Sequence, residues 1–580
     1  MGEYRIRRKN RKLRFLIPRT THAFLREWNS NLFTSNSSEI IVHASGYAFD
    51  GSQLLPNSKM LSQHISEHLS GVREDEMFTE FQEIVKQLNG SFALVVEASN
   101  SICAAVDRVR SIPLFYGVSR DQFILGNGAQ EVREHVSNDG YDDIALKEFL
   151  LTGYVTGAET LCGDVKQLQA GECVLACNRE DLNITSKRYY HYTHGDFFNQ
   201  SAGQLYPLAR DVLTHVFERL VKSTRGRQIV VPLSGGLDSR LIVAMLKTMG
   251  TKNVVCFSYG RPGNWESEIS KRVAQRVGYT WEFVPESSIR WRKWHKTEQC
   301  KAYYKYAHNL CSYVHFQDWP AVWELKKQGK ISGGAVFVPG HTGDVIAGSH
   351  IPPSFAQMDK IGKDILIDEI FKRHYSLWNW AHRQEQLAPL LESRILSSLK
   401  GFSFDLPEDA ANALEYWEWQ ERQAKFIVNS VRVYEFWGYD WRLPFWDSEL
   451  IDFWSHMPLN QRIKKAFYVR FLNETLFQKM GIVSFPDVKL PCAQVPRIIR
   501  DSSGKIVLSR LLRYGPGKIW QLMTFRRRPD LGISSLRDLL KCKNLYKMHF
   551  GRKNVMTVCE IPLNTRVNYH TFERVIDEKI

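Results

Sequence analysis

The residues Pro232-Leu-Ser-Gly-Gly-Leu-Asp-Ser239 are spaced to hold a phosphate. Ser234-Gly235-Gly236 leaves an apolar run without bulky side chains, so backbone N–H groups can close around an anion. The apolar helix that follows, Leu241 to Met249, would aim the positive end of its dipole at the same spot. Ser234 and Ser239 add hydroxyl donors. Asp238 would repel a bare phosphate, so its presence calls for a divalent cation between the two. No Gly-Lys-Ser/Thr is present, which excludes the Walker pattern. A glycine-rich strand-to-helix turn of no special purpose is the alternative, and six specified positions between a strand and a helix weigh against it.

The elements around this segment read as an alternation. Ile229 to Leu233 is a buried strand, and Val254 to Phe257 is another. Asn264 is placed to cap a helix whose Ile269, Val273 and Val277 share a face, with Gly278 as its stop. Ahead of them Leu205, Leu208, Val212, Leu213, Val216, Phe217, Leu220 and Val221 fall on one helical face. Strand and helix alternating at this pace predict a parallel sheet with helices on both sides. Long aromatic helices are expected from about Asp364 to Phe477. The text before this region differs: from Ser38 to Tyr190, short apolar runs are broken by Gly, Asn and Asp. Phe92 to Glu97, Ile102 to Val106 and Gln122 to Leu125 read as strands. His191 to Gln204 is the expected linker, and no clear periodicity follows Pro496.

Bulk properties narrow the class. A chain of 580 residues exceeds a single core, and 43% hydrophobic with 24% charged residues describes an ordinary globular protein. No apolar run reaches the roughly 18 residues that span a bilayer. The basic start Met1 to Arg14 is followed only by the stub Phe15 to Pro18, too short for a secretory signal, so a cytoplasmic location is expected. Ten cysteines lie scattered from Cys103 to Cys559. Cys173 and Cys177, the closest pair, fit same-face positions in a strand better than chelation, and reduced, buried thiols are expected. The net charge of +15 is uneven: from Arg497 to Lys553 the only acids are Asp501, Asp530 and Asp538. A solvated basic extension is expected there, without a nucleic-acid motif to go with the charge.

The segment 232–239 resembles the pyrophosphate loop of the N-type ATP pyrophosphatases, which split ATP into AMP and pyrophosphate. Within that group the chain resembles the asparagine-synthetase family. Leu88-Asn-Gly-Ser-Phe92, Asp107-Arg108, Ile112 to Tyr116, Glu148 to Val155, Leu168 to Gly171 and Arg188 to Tyr190 are similar in order to its glutaminase domain. Phe257-Ser-Tyr-Gly260 sits where the family contacts the adenine side of ATP. Val338-Pro-Gly-His-Thr-Gly-Asp344 resembles the family signature Ser-Gly-Glu-Gly-Ser-Asp, and Asp440 to Asp447 resembles Glu-Ala-Arg-Val-Pro-Phe-Leu-Asp. The resemblance runs from about Ser38 to Pro491.

It implies an α/β protein of three parts. Residues 1–195 would form an α+β, Ntn-hydrolase-like β-sandwich of glutaminase type. Residues 205–496 would form a parallel-sheet ATP-pyrophosphatase domain with helical additions, and 497–580 a basic extension. It implies ATP/pyrophosphate binding by Leu233, Ser234, Gly235, Gly236, Asp238, Ser239, Tyr259, Pro339 and Gly340, and Mg2+ held by Asp238 and Asp344. Lys489 matches the family's catalytic lysine by order, with Lys465 in reserve. Arg442 is expected to hold the architecture by bidentate pairing with a carboxylate. The implied reaction adenylates a small carboxylic acid and forms an amide with ammonia or an amine.

Two departures qualify the resemblance. Family glutaminases use an N-terminal cysteine, whereas Gly2 follows Met1 here and the first cysteine is Cys103; the glutamine-binding Asn-Gly-Glu is also missing around Gly46 to Gly51. No glutaminase nucleophile is therefore assigned, and the nitrogen is expected from solution, from a partner glutaminase or from an amine, as in β-lactam synthetases. His341 stands where asparagine synthetases carry Glu, and acts as a proton acceptor or as a buried residue fixing its loop. An RNA-modifying ATP pyrophosphatase, a non-catalytic relative and a homodimeric assembly stay open.

Overall fold

The computed structural model describes residues 13–16, 28–35, 38–119, 122–136, 140–178, 181–377, 384–485, 499–500 and 506–507. Lys489 and nearly all of the basic segment 497–580 lie outside the described residues.

The first half is built on an antiparallel sheet. Its strands run in the order Leu182–Arg188, Glu172–Asn178, Ser101–Val106, Leu88–Glu97, Ser38–Asp50 and Asn29–Ser35, with Gln53–Leu55 folded back onto Ser38–Asp50. The three strands expected from the sequence fall inside Leu88–Glu97, Ser101–Val106 and Gln122–Gly126. Period-two alternation serves two cores at once. Phe92, Leu94 and Val96 pack with Leu61, Ile65 and Phe81 of the helices Ser58–Leu69 and Met77–Gln87. Ala93 and Val95 face the larger core instead. Both faces are thus covered, which explains why these strands read as nearly continuous apolar runs. Cys173 and Cys177 do share the strand Glu172–Asn178, and the seven described cysteines are unbridged. A second sheet orders Leu13–Leu16, Gln122–Gly126, Phe115–Ser119 and Val165–Gln167.

The second half contains the expected parallel sheet. Five strands follow the order Thr280–Pro285, Val254–Gly260, Ile229–Pro232, Val336–Phe337 and Asp440–Trp441, every neighbouring pair parallel. The helix Trp265–Val277 begins at Asn264, whose side chain accepts from the Ser267 N–H at 2.8 Å, and ends at Gly278 in a left-handed conformation. The helix Ala202–Thr224 starts inside the expected linker, because Gln204 Oε1 accepts from the N–H of Ser201 at 2.9 Å. Leu208, expected on its buried face, is exposed; Ala209 takes that place with Leu205, Val212 and Val216. The aromatic region is shorter-stepped than expected: Gly362–His374, Gln384–Ser398 and Pro407–Glu418 are separate helices. The last continues into a wide π-helical turn, Trp419–Ile427.

That turn joins the halves. Lys425 donates to the carbonyl oxygens of Val155 (3.2 Å) and Gly157 (2.6 Å) and pairs with Glu421, both side chains fully buried. Glu148, also buried, takes Arg394 at 3.0 Å and the Tyr375 hydroxyl at 2.9 Å. Among the described residues no helix is long and apolar enough to cross a membrane.

Candidate active site

Ligands of open parallel sheets bind outside the carboxyl ends of the strands, and there the predicted residues gather. Strand Ile229–Pro232 leads into the loop, with Leu233 buried and its N–H bonded to the Phe257 carbonyl at 2.8 Å. Gly236 precedes the helix Leu237–Thr248 and offers no side-chain cap, so the first-turn N–H groups are left for an anion. The two serines first hold the loop itself. Ser239 Oγ accepts from Ser234 N–H at 3.0 Å, Ser234 Oγ accepts from Gly236 N–H at 3.1 Å, and the hydroxyls lie 3.1 Å apart. Since one hydroxyl proton serves that mutual contact, only the other remains for a ligand.

The loop 338–344, after strand Val336–Phe337, closes onto the first. A Cβ on Gly340 would lie 2.8 Å from Ser239 N, and one on Gly343 would lie 2.9 Å from Asp238 Cγ. Only glycine admits this approach. It brings the Asp344 N–H to 3.2 Å from Asp238 Oδ2, while Asp238 Oδ1 accepts from the Tyr468 hydroxyl at 2.8 Å. Burial and the Asp344 charge push the Asp238 carboxyl up to about 7, against the opposing pull of Tyr468 and Lys465. Lys465 is held there by unusual backbone, since Lys464 and Lys465 both have positive φ, 55° and 59°.

His341 lies three positions before Asp344 on the same loop. Its Nδ1 is 3.1 Å from Ser430 Oγ, and burial pushes its imidazole below the ordinary value while Asp318 opposes the shift. Asp318 accepts from the hydroxyls of Tyr259 (2.7 Å) and Tyr434 (2.5 Å), so the predicted Tyr259 faces the same carboxylate. Pro339 is buried in the turn before His341. Thr342, β-branched yet at φ 77°, is fixed by Gln423 (3.1 Å) and the Trp446 indole (3.2 Å). Backbone in this region costs on the order of 1–3 kcal/mol, and it sits between the candidate base and the candidate metal ligand.

Arg442 stands apart from the loop. It reaches Asp440 through Nη1 alone (2.9 Å) rather than bidentately, because Nε and Nη2 bind Ser223 near the end of helix Ala202–Thr224. Its guanidinium stacks over Tyr47 at 3.8 Å. Tyr47, Asn89, Arg219, Arg442 and Asp447 line a cavity of ≈ 30 Å³.

Sequence reading missed Tyr468, Asp318, Ser430 and Glu286. Tyr468 lies on the helix Ala466–Leu472, which starts directly after Lys465, and nearness in sequence to that candidate is its one signal. Glu286 follows strand Thr280–Pro285, and burial pushes it up to about 8, leaving a neutral acid at the strand ends. No local pattern marks it.

The glycine loop with its two aspartates thus stands on a parallel sheet, behind a first half rich in β-strands. The glutamine amidotransferase domain matches residues 77–190 and asparagine synthase matches residues 209–287. These matches support an asparagine synthase-like family protein. A curated relative described as a probable glutamine-hydrolysing asparagine synthetase, from Acanthamoeba polyphaga mimivirus, is 24% identical over 204 residues. The match covers 34% of this chain and 35% of that protein, so it spans about a third of the relative's length. Two solved structures also align. The allosteric regulatory enzyme of purine biosynthesis is 12% identical, covering 44% of this chain and 62% of its own, with a TM-score of 0.20. The glutamine phosphoribosylpyrophosphate amidotransferase of B. subtilis, complexed with ADP and GMP, is 11% identical over 53% and 63%, with a TM-score of 0.18.

Proposed function

We propose that the chain is an ATP-dependent ligase that converts a small carboxylic acid to its adenylate, releasing pyrophosphate, and passes the acyl group to ammonia or an amine. The observation that supports this most is the meeting of Asp238 and Asp344 at the mouth of the glycine loop. Two carboxylates held together this way keep a proton unless a cation replaces it, and an all-oxygen pair suits Mg2+. When bound, Mg2+ would neutralise charge on the phosphates. The loop amides and the free serine hydroxyl would then stabilise the pyrophosphate as it leaves. Lys465, whose charge acts on Asp238, is the lysine proposed for the acyl centre, with Lys489, outside the described residues, as the alternative.

His341, neutral near pH 7, is suited to take a proton from the incoming ammonium or amine. Replacing it by glutamine should leave adenylate formation intact but slow amide formation by about 10²–10⁴-fold. The wild-type rate should fall as pH drops below the ordinary imidazole value of 6.5, and the variant should lack that limb. A variant with the wild-type pH profile would remove His341 from the mechanism.

The first half is proposed not to supply its own ammonia. Where the glutamine-binding pattern is missing, Tyr47 is capped by the Arg442 guanidinium at 3.8 Å. Cys103 lies within the sheet, and burial pushes its thiol up to about 12, far from a reactive thiolate. A pyrophosphate-exchange screen across candidate acids tests the ligase reading, and amide formation with ammonium against glutamine tests the nitrogen source. Acid-dependent exchange and ammonium-only turnover are expected. No exchange with any acid sinks the first claim; turnover with glutamine sinks the second.

A further inference from the structure

His64 and His68 lie one turn apart on the helix Ser58–Leu69 and face Asp50, the last residue of the strand Ser38–Asp50. One ligand atom from each can be chosen so that all three lie within 4.8 Å of one another. His64 is only 7% exposed, and its Nε2 is 3.0 Å from Asp50 Oδ2 without an aligned hydrogen bond. Two ligand atoms on one ion, each at about 2.1 Å, sit roughly 3.0–3.4 Å apart, so this spacing suits a shared cation. The second imidazole is prepared in the same sense. His68 Nδ1 is 2.9 Å from the His64 carbonyl oxygen, which can only accept. A hydrogen therefore sits on Nδ1, which leaves Nε2 as the atom this ring can offer to a metal.

We propose that Asp50, His64 and His68 bind a first-row divalent ion of the Zn2+ class, clipping the helix to the strand. Two imidazoles and a carboxylate favour Zn2+ over Mg2+, whereas Asp238 and Asp344 offer oxygen alone. Three protein ligands leave a coordination position for water beside the exposed His68. Amide formation does not call for this site.

The test is calorimetric titration of the chelator-stripped full chain with Zn2+ in excess Mg2+, which fills oxygen-only sites. Wild type should bind one more ion than His68→Ala, or bind it about 100-fold or more tightly. Zn2+ should raise the melting temperature of wild type and not of the variant. Because His68 is exposed, the metal-free variant should melt as wild type does. In Co2+-loaded protein, His68→Cys should add a thiolate charge-transfer band to the spectrum. Equal stoichiometry and affinity in wild type and His68→Ala overturn the site, as does a Co2+ spectrum that His68→Cys leaves unchanged.

Discussion

Asp344→Asn is expected to lower pyrophosphate exchange about a thousandfold while leaving the metal-free protein at least as stable as wild type. Asparagine keeps the shape and the backbone N–H that Asp238 accepts, so only a charge is lost. The sign of the stability effect follows from Asp238. Its folded carboxyl is raised from 3.8 to about 7, so folding takes up a proton in that window and stability falls as pH rises through it. Without the Asp344 charge the rise is smaller, and the variant should gain on wild type above about pH 7. Exchange and thermal melting, measured on the same preparations, separate the alternatives. Wild-type exchange would remove Asp344 from the site. Lost exchange with a lowered melting temperature would make its role structural.

Arg462→Met should be the most destabilising single change, costing about 3–5 kcal/mol. The guanidinium is fully buried. Its Nη1 meets Glu415, its Nη2 meets Glu408, and Nε donates to the Met457 carbonyl at 2.8 Å. Glu415 is also buried: burial pushes its carboxyl up to about 7, with Arg462 pulling the other way. Without the arginine that carboxyl rises further, so the variant's deficit should widen as pH increases through and above about 7. Denaturant unfolding at a pH on either side of that value measures it. A loss under about 1 kcal/mol, or one independent of pH, would contradict the assignment of these charges.

The parts of the site legible in the sequence are those where chemistry and local structure coincide. Gly235, Gly236, Asp238 and Ser239 form one contiguous segment, and the flanking strand and helix announce themselves by run length and period. Asn264 and Gly278 mark a helix because capping is local. Asp344 could be placed only through family resemblance, since its strand, Val336–Phe337, is two residues long and carries no period. Arg442 was legible as an architectural residue, but its partners, Ser223 and Tyr47, are remote in sequence and no spacing specifies them. The wide turn Trp419–Ile427 was read as ordinary helix, because a shift from i+4 to i+5 bonding leaves an apolar pattern almost unchanged. Leu208 shows the limit of that pattern on a long helix, where one position of phase moves a side chain to solvent.

The buried ammonium of Lys425 has a consequence for how the molecule can be divided. It protrudes from the turn whose Gln423 steadies Thr342, and it is neutralised partly by carbonyl dipoles belonging to residues 155 and 157. The amino-terminal half is therefore part of the electrostatic lining of the second half. Were it to do no chemistry of its own, its excision would still expose the buried Lys425–Glu421 pair and take away two of the ammonium's acceptors, on the turn that steadies the loop carrying His341.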